Sequence, residues 1–198
     1  MDEQTSIDLA ERVAAIARSL GIDTTLIGAY ALAAYSYVRG TGDIDLATTI
    51  ELTELQALKR ALEDNGLCTK LNWPDAEDAL GGRLMVWDRT DEDGVPIDPV
   101  DVVNFLNSHR VRPTPAREAI ASSVALEGLA TLRYPPLRYL IALKLYEGGR
   151  RDLADVVSVL VENPDADIEQ IRATCKRFGL DEIDGLILEA AEEKRRRG

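Results

Sequence analysis

Hydrophobic and polar residues along this chain of 198 residues follow two rhythms, and the switch between them outlines its architecture. Ile7, Leu9, Ala10, Val13, Ala14, Ile16, Ala17 and Leu20 recur at helical spacing, which predicts a helix over 7–20 ended by Gly21. Thr24-Thr25-Leu26-Ile27 reads as a short buried strand, Gly28 as a tight turn and 29–37 as a short, largely buried helix. A second strand is expected over 43–49. A surface helix over 53–62 stops at Asn65-Gly66, a strand follows over 68–73, and 74–80 predicts a short helix closed by Gly81-Gly82. Residues 83–90 and 100–105 are strand-like, and Asp91-Glu92-Asp93-Gly94 between them is turn chemistry, so the pair predicts an antiparallel hairpin. Pro113-Thr114-Pro115 marks a connection, and 124–133 reads as an edge strand or a further hairpin.

Past Pro135-Pro136 only the helical period remains, over 137–145, 151–161, 168–178 and 182–195. The order predicts an α+β chain with a mixed core over 1–134 and a C-terminal helical subdomain over 135–198. Composition narrows the setting. At 45% hydrophobic, with no apolar run of membrane-spanning length, the chain reads as an ordinary globular protein with no membrane partner. Its polar, acidic start is unlike a signal peptide. Cys68 and Cys175 are far apart and suit neither a disulfide framework nor a zinc site. A cytoplasmic location is the default expectation. The net charge of −12 argues against general binding of nucleic-acid backbone, and Lys194-Arg195-Arg196-Arg197 reads as a solvated tail.

Chemistry concentrates between Gly28 and Leu46. Asp43 and Asp45 alternate with Ile44 and Leu46, so on a strand both carboxylates share one face and both aliphatic side chains the other. Two adjacent carboxylates repel unless a cation lies between them, and Mg²⁺ favours carboxylate oxygens together with substrate phosphates. A two-metal site needs a third acid from a neighbouring strand. Asp101 stands alone in the apolar run Val100-Asp101-Val102-Val103, where an unpartnered carboxylate would be costly to bury. Asp98, between Ile97 and Pro99, suits a turn instead.

These residues carry a resemblance. A glycine-led strand-to-helix turn at Gly28, the run Arg39-x-Thr41-x-Asp43-Ile44-Asp45 and a later strand aspartate, Asp101, resemble the nucleotidyltransferase superfamily with the polymerase-beta-like fold. More narrowly they are similar to the minimal bacterial group that includes the AbiEii-type toxins. Leu140-Ile141-Ala142-Leu143-Lys144-Leu145, followed by Arg150-Arg151-Asp152-Leu153-Ala154-Asp155, is similar to that group's lysine helix and the acidic helix after it. The resemblance spans 24–160. It implies a mixed β-sheet flanked by helices, followed by a C-terminal helical bundle.

It further implies a Mg²⁺-dependent enzyme that moves a nucleoside monophosphate from an NTP to an acceptor, which is RNA, protein or a small molecule. Asp43, Asp45 and Asp101 would hold two Mg²⁺ ions, with Asp101 also a candidate for the acceptor's proton. Gly28 and Ala29 would admit the triphosphate to the backbone, with Arg39 and Thr41 beside it. Lys144 would neutralise the phosphates or the leaving pyrophosphate, with Arg39 a second candidate for that role, and Asp152 would orient Lys144 or a basic neighbour. A toxin role implies an antitoxin protein as partner. One departure stands out: Gly28-Ala29 replaces the superfamily's usual Gly-Gly or Gly-Ser, which motivates a second reading as a weak or inactive nucleotide-binding protein.

Each position also has an ordinary reading. An Asp-x-Asp pair can be a solvated face, Asp101 a structural acceptor, and Lys144 a surface residue whose stem lies along the helix. Asp152 and Asp155 would both suit a helix start through the dipole. Tyr30, Tyr35 and Tyr37 read as packing groups and His109 as a loop residue.

Overall fold

The computed structural model describes residues 3–40, 42–109 and 113–197. Five strands form one mixed sheet in the order β1-β2-β5-β4-β3: β1 (Thr25–Ile27), β2 (Ile44–Thr48), β5 (Val100–Asn104), β4 (Arg83–Trp87) and β3 (Cys68–Asn72). Only β2 and β5 run parallel, and the other neighbours are antiparallel. The expected hairpin of β4 and β5 is therefore present. The alternation of each strand settles which side faces the core. Ile44 and Leu46, Val100 and Val102, and Leu84 and Val86 are all fully buried on one face. That face is covered by α1 (Glu3–Ser19) and α3 (Leu52–Asp64), whose apolar stripes supply Leu9, Val13, Leu55, Leu58 and Leu62.

Beyond the sheet, α4 (Ala116–Ala121) packs on β2, and β6 (Val124–Ala125) pairs with β7 (Arg133–Tyr134). The segment 124–133 is thus a small hairpin beside β1. Four helices complete the chain: α5 (Leu137–Glu147), α6 (Arg150–Glu162), α7 (Ile168–Arg177) and α8 (Ile183–Arg197). α5 is buried nearly all round, against α4, α6 and α7. Edge-to-face packing of Tyr35 on Tyr134 and a hydrogen bond from the Tyr35 hydroxyl to the Pro135 carbonyl at 2.8 Å tie the strand region to the start of α5. Among the described residues no helix is long and apolar enough to cross a membrane.

Three local expectations change. Residues 74–80 form no helix. The Asp75 carboxylate accepts from the backbone N–H of Glu77 and Asp78, and the Asp78 carboxylate accepts from the Asp75 N–H, a reciprocal cap with no helix after it. The buried Asn107 amide then fixes the loop by donating to the carbonyls of Asp75, Asp78 and Leu80. The helix expected over 29–37 is only α2 (Gly28–Ala33), and the chain leaves it through Ser36 at φ 59°. α4, begun by Pro115, was not foreseen in the Pro-rich connection.

Candidate functional site

Asp45 lies directly opposite Asp101 in the parallel pairing of β2 and β5. Asp43 precedes β2 by one residue, so its side chain emerges on the same face as Asp45. The three carboxylates bring one oxygen each to within 4.8 Å of one another. Their setting is graded: Asp43 is the most exposed, Asp45 is half-buried, and Asp101 is only 2% exposed at the bottom. Asp98 sits in the left-handed region at φ 45°, the turn position its neighbours suggest.

Gly28 backs this cluster for a reason that concerns Asp45 as much as any ligand. Its φ of +64° is one that a side chain disfavours. A Cβ there would also collide with Asp45 Oδ2. The glycine therefore leaves room for the carboxylate. Ala29 follows it at 5% exposure and does not line the cavity over the acids.

Arg83 completes the cluster. It opens β4 one same-face row away from Asp101, a diagonal that a long side chain can span. Its Nη2 lies 2.7 Å from Asp101 Oδ2, 3.2 Å from Asp45 Oδ1 and 4.0 Å from Asp43 Oδ2. Even so, Asp101 Oδ1 is buried with no hydrogen-bond partner among the described residues. Burial pushes the Asp101 carboxyl up to about 6, with Arg83 opposing and the Asp45 and Asp43 charges adding to the rise. Burial and then the Asp43 charge raise Asp45 as well, against Arg83 and Lys144. A buried acceptor left unpaired, beside a second carboxylate held above its usual range, is a donor set suited to a hard divalent cation.

Facing the acids is a cationic wall. Lys144, on the last turn of α5, is 5% exposed, and its ammonium sits 2.6 Å from Asp152 Oδ1 and 3.2 Å from Asp155 Oδ2. Burial works to lower the Lys144 pKa. The hydrogen bond it donates to Asp152 and the charges of Asp152, Glu147 and Asp155 outweigh it, so the ammonium is held above its ordinary value. Asp155, fully buried within α6, also takes Arg39 at 3.1 Å and so joins two cations. Arg151 donates to the Gly40 carbonyl at 3.3 Å, closing α6 onto the loop before β2. Between acids and wall lies a cavity of about 300 Å³ lined by Gly28, Arg39, Asp43, Asp45, Arg83, Lys144, Glu147, Arg151 and Asp152, with a few aliphatic residues.

The structure thus gathers Gly28, Arg39, Asp43, Asp45, Lys144 and Asp152 around one space, with Asp101 beneath it. Thr41, expected beside the triphosphate, lies outside the described residues. Asp155 is not a dipole residue at a helix start, since α6 begins five residues earlier. Arg83, Glu147 and Arg151 were missed. Arg83 had a legible signal, because Leu84 and Val86 take the apolar face and leave it on the acids' side. Glu147 had one too, three residues after Lys144 on the same helix. Burial pushes Glu147 up to about 7, and the Asp152 charge adds to this.

No protein-family model matches the chain, and no curated protein sequence matches it. Solved structures do. An antigenic nucleotidyltransferase-like protein from Paracoccidioides brasiliensis is similar over 94% of each chain, at 14% identity and a TM-score of 0.52. ANT(2")-Ia, in complex with adenylyl-2"-tobramycin, aligns with 96% of this chain and 98% of its own, at 16% identity and a TM-score of 0.45. JHP933 from Helicobacter pylori aligns with 99% and 94%, at 20% identity and a TM-score of 0.44. The first of these likenesses shows the fold: the chain has a nucleotidyltransferase-like mixed sheet flanked by helices, with further helices after it.

Proposed function

We propose that the cavity is a nucleotidyl-transfer site, in which Asp43, Asp45 and Asp101 hold Mg²⁺ and the facing cations take the triphosphate of an NTP. The observation that carries this reading is the convergence of three carboxylates from two adjacent strands, with the buried Asp101 Oδ1 unpartnered. Bound Mg²⁺ would supply charge neutralisation at the phosphates and lower the pKa of the attacking hydroxyl.

The rest falls to the chain's own side chains. Lys144 and Arg39 are fixed by Asp155 before any ligand arrives, so they meet phosphate charge without reorganising. Arg151 lines the same wall and lengthens it toward the loop at Gly40. Gly28 keeps the backbone close enough for Asp45 to stand beside the phosphates. In the reaction, an acceptor hydroxyl oxygen bonds to the α-phosphorus, the bond to the β-phosphate's bridging oxygen breaks, and pyrophosphate leaves. The hydroxyl proton passes to a carboxylate of the triad. Rate enhancement comes from positioning and electrostatics, with no covalent enzyme intermediate.

Incubation with Mg²⁺ and each α-labelled NTP, in turn with RNA, protein and small-molecule hydroxyl acceptors, tests the reading. Label should pass to one acceptor class, and Asp43→Ala should lower the rate by about 10³-fold while remaining folded. The narrower toxin reading, with an antitoxin partner, rests on the resemblance of the lysine and acidic helices. Under it, expression should arrest growth and Asp43→Ala should relieve the arrest. No transfer by the wild type to any class would overturn the enzyme reading. A second reading, a nucleotide-binding protein without turnover, is favoured by one observation: the Arg83 guanidinium already stands among the three acids.

A further inference from the structure

Arg83 stands where a cation bridging the three acids would stand. One nitrogen, Nη2, reaches an oxygen of Asp101, Asp45 and Asp43 at 2.7, 3.2 and 4.0 Å. Among the described residues those three acids are its ion-pair partners, and the Glu147 charge acts on it from across the cavity. Its Nε is buried without a hydrogen-bond partner, and no other anion pairs with it among the described residues. The side chain is nevertheless 43% exposed, at the lip of the cavity, so the guanidinium has open space to move into. It is also an incomplete partner, since Asp101 Oδ1 remains unsatisfied beneath it.

We propose that Arg83 is the resident counter-cation of the carboxylate triad, competing with the divalent ion for the same oxygens and thereby setting the metal affinity of the site. Without it, three carboxylates within 4.8 Å would repel one another, with the Lys144 charge acting on Asp45 and a metal ion left to bridge the three. With it, the triad is already neutralised in part. An entering ion must displace the guanidinium, which then faces the cavity as one more positive charge for phosphate. Arg83 acts through the acids and is a positioning residue.

This inference rests on the reading of Asp43, Asp45 and Asp101 as a metal site, and its test separates the two. Mn²⁺ is titrated calorimetrically into wild type, Arg83→Gln and Asp101→Asn, at fixed pH and ionic strength. Loss of the arginine should tighten Mn²⁺ binding at least tenfold, whereas loss of a mere structural contact would weaken it. Asp101→Asn should bind Mn²⁺ more weakly than wild type, which establishes the site independently. Without metal, Arg83→Gln should melt below wild type, and Mn²⁺ should raise its Tm by more than it raises that of wild type.

If Arg83→Gln does not fold, Arg83→Lys serves in its place. Lysine is a point charge that cannot fork across the acids, and it should give a smaller tightening in the same direction. Binding by Arg83→Gln but not by wild type supports the proposal in its strongest form. Equal or weaker binding by a folded Arg83 variant, with Asp101→Asn impaired, overturns the proposal and leaves the metal site standing. No Mn²⁺ binding by wild type or by either arginine variant overturns both.

Discussion

The two faces of the central sheet are made from the same five strands yet follow opposite rules. One face, through Ile44, Leu46, Val100, Val102, Leu84 and Val86, is fully buried beneath α1 and α3. The other carries Asp45, Asp101 and Arg83 at the alternate positions and opens onto a cavity of about 300 Å³. Burial on the first face removes apolar surface from water and stabilises the fold. On the second it raises Asp45 and Asp101 above the usual carboxylate range, which works against the fold and marks the face as the candidate site. Stability and chemistry are thus divided across the thickness of one sheet. Asp155 straddles that division, a fully buried charge whose cation partners Arg39 and Lys144 line the cavity.

If the division is real, injuries to the two faces should have separable effects. The largest stability loss is expected from Leu84→Ala, which leaves a cavity under α3 and should cost about 2–5 kcal/mol in urea denaturation. The proposed nucleotidyl transfer per folded molecule should be unchanged, and a fall beyond the folded fraction would show that the faces are coupled. Gly28→Ala tests the seam between them. An alanine held at positive φ, with its Cβ on Asp45 Oδ2, should cost roughly 1–2 kcal/mol and should displace Asp45. Transfer should fall by more than the stability loss explains, and full retention of transfer would break the link from Gly28 to the triad.

The smallest effect belongs to Glu147 and depends on pH. Its carboxyl is raised from 4.5 to about 7, so between those values the folded chain holds a proton that the unfolded chain has lost. Stability from this group is full below the unfolded value and is lost as pH rises through the folded one. Relative to wild type, Glu147→Gln should therefore be neutral near pH 4 and stabilising, by about 1–2 kcal/mol, above pH 7. Chemical denaturation at the two pH values gives the difference directly. A variant equally stable to wild type at both would mean that burial and the Asp152 charge do not hold the Glu147 carboxyl above its ordinary range.

The strands and the long helices were legible because their signals are local. Alternation in Asp43-Ile44-Asp45-Leu46 places both acids on one side of β2 whatever surrounds the strand, and the buried Ile44 and Leu46 agree. The same holds for Asp101, whose apolar neighbours mark it as an acid needing a partner. Loop 74–80 misled because its carbonyls at Asp75, Asp78 and Leu80 are taken by a side chain distant in the chain, Asn107, and not by a helical ladder. Arg83 and Glu147 had the right spacing, but spacing carries no information about which distant charge each will meet.

What the sequence determined by itself, then, is which side chains share a face, since that follows from a period of two or 3.6 within one element. What only the tertiary structure decided is which elements meet: β5 beside β2 in the register that sets Asp101 against Asp45, Arg83 reaching across from β4, and Asp155 gathering Arg39 and Lys144. These pairings join positions far apart in the chain. Their register is fixed by how the apolar face of each strand fits beneath α1 and α3, a constraint that no short stretch of residues contains.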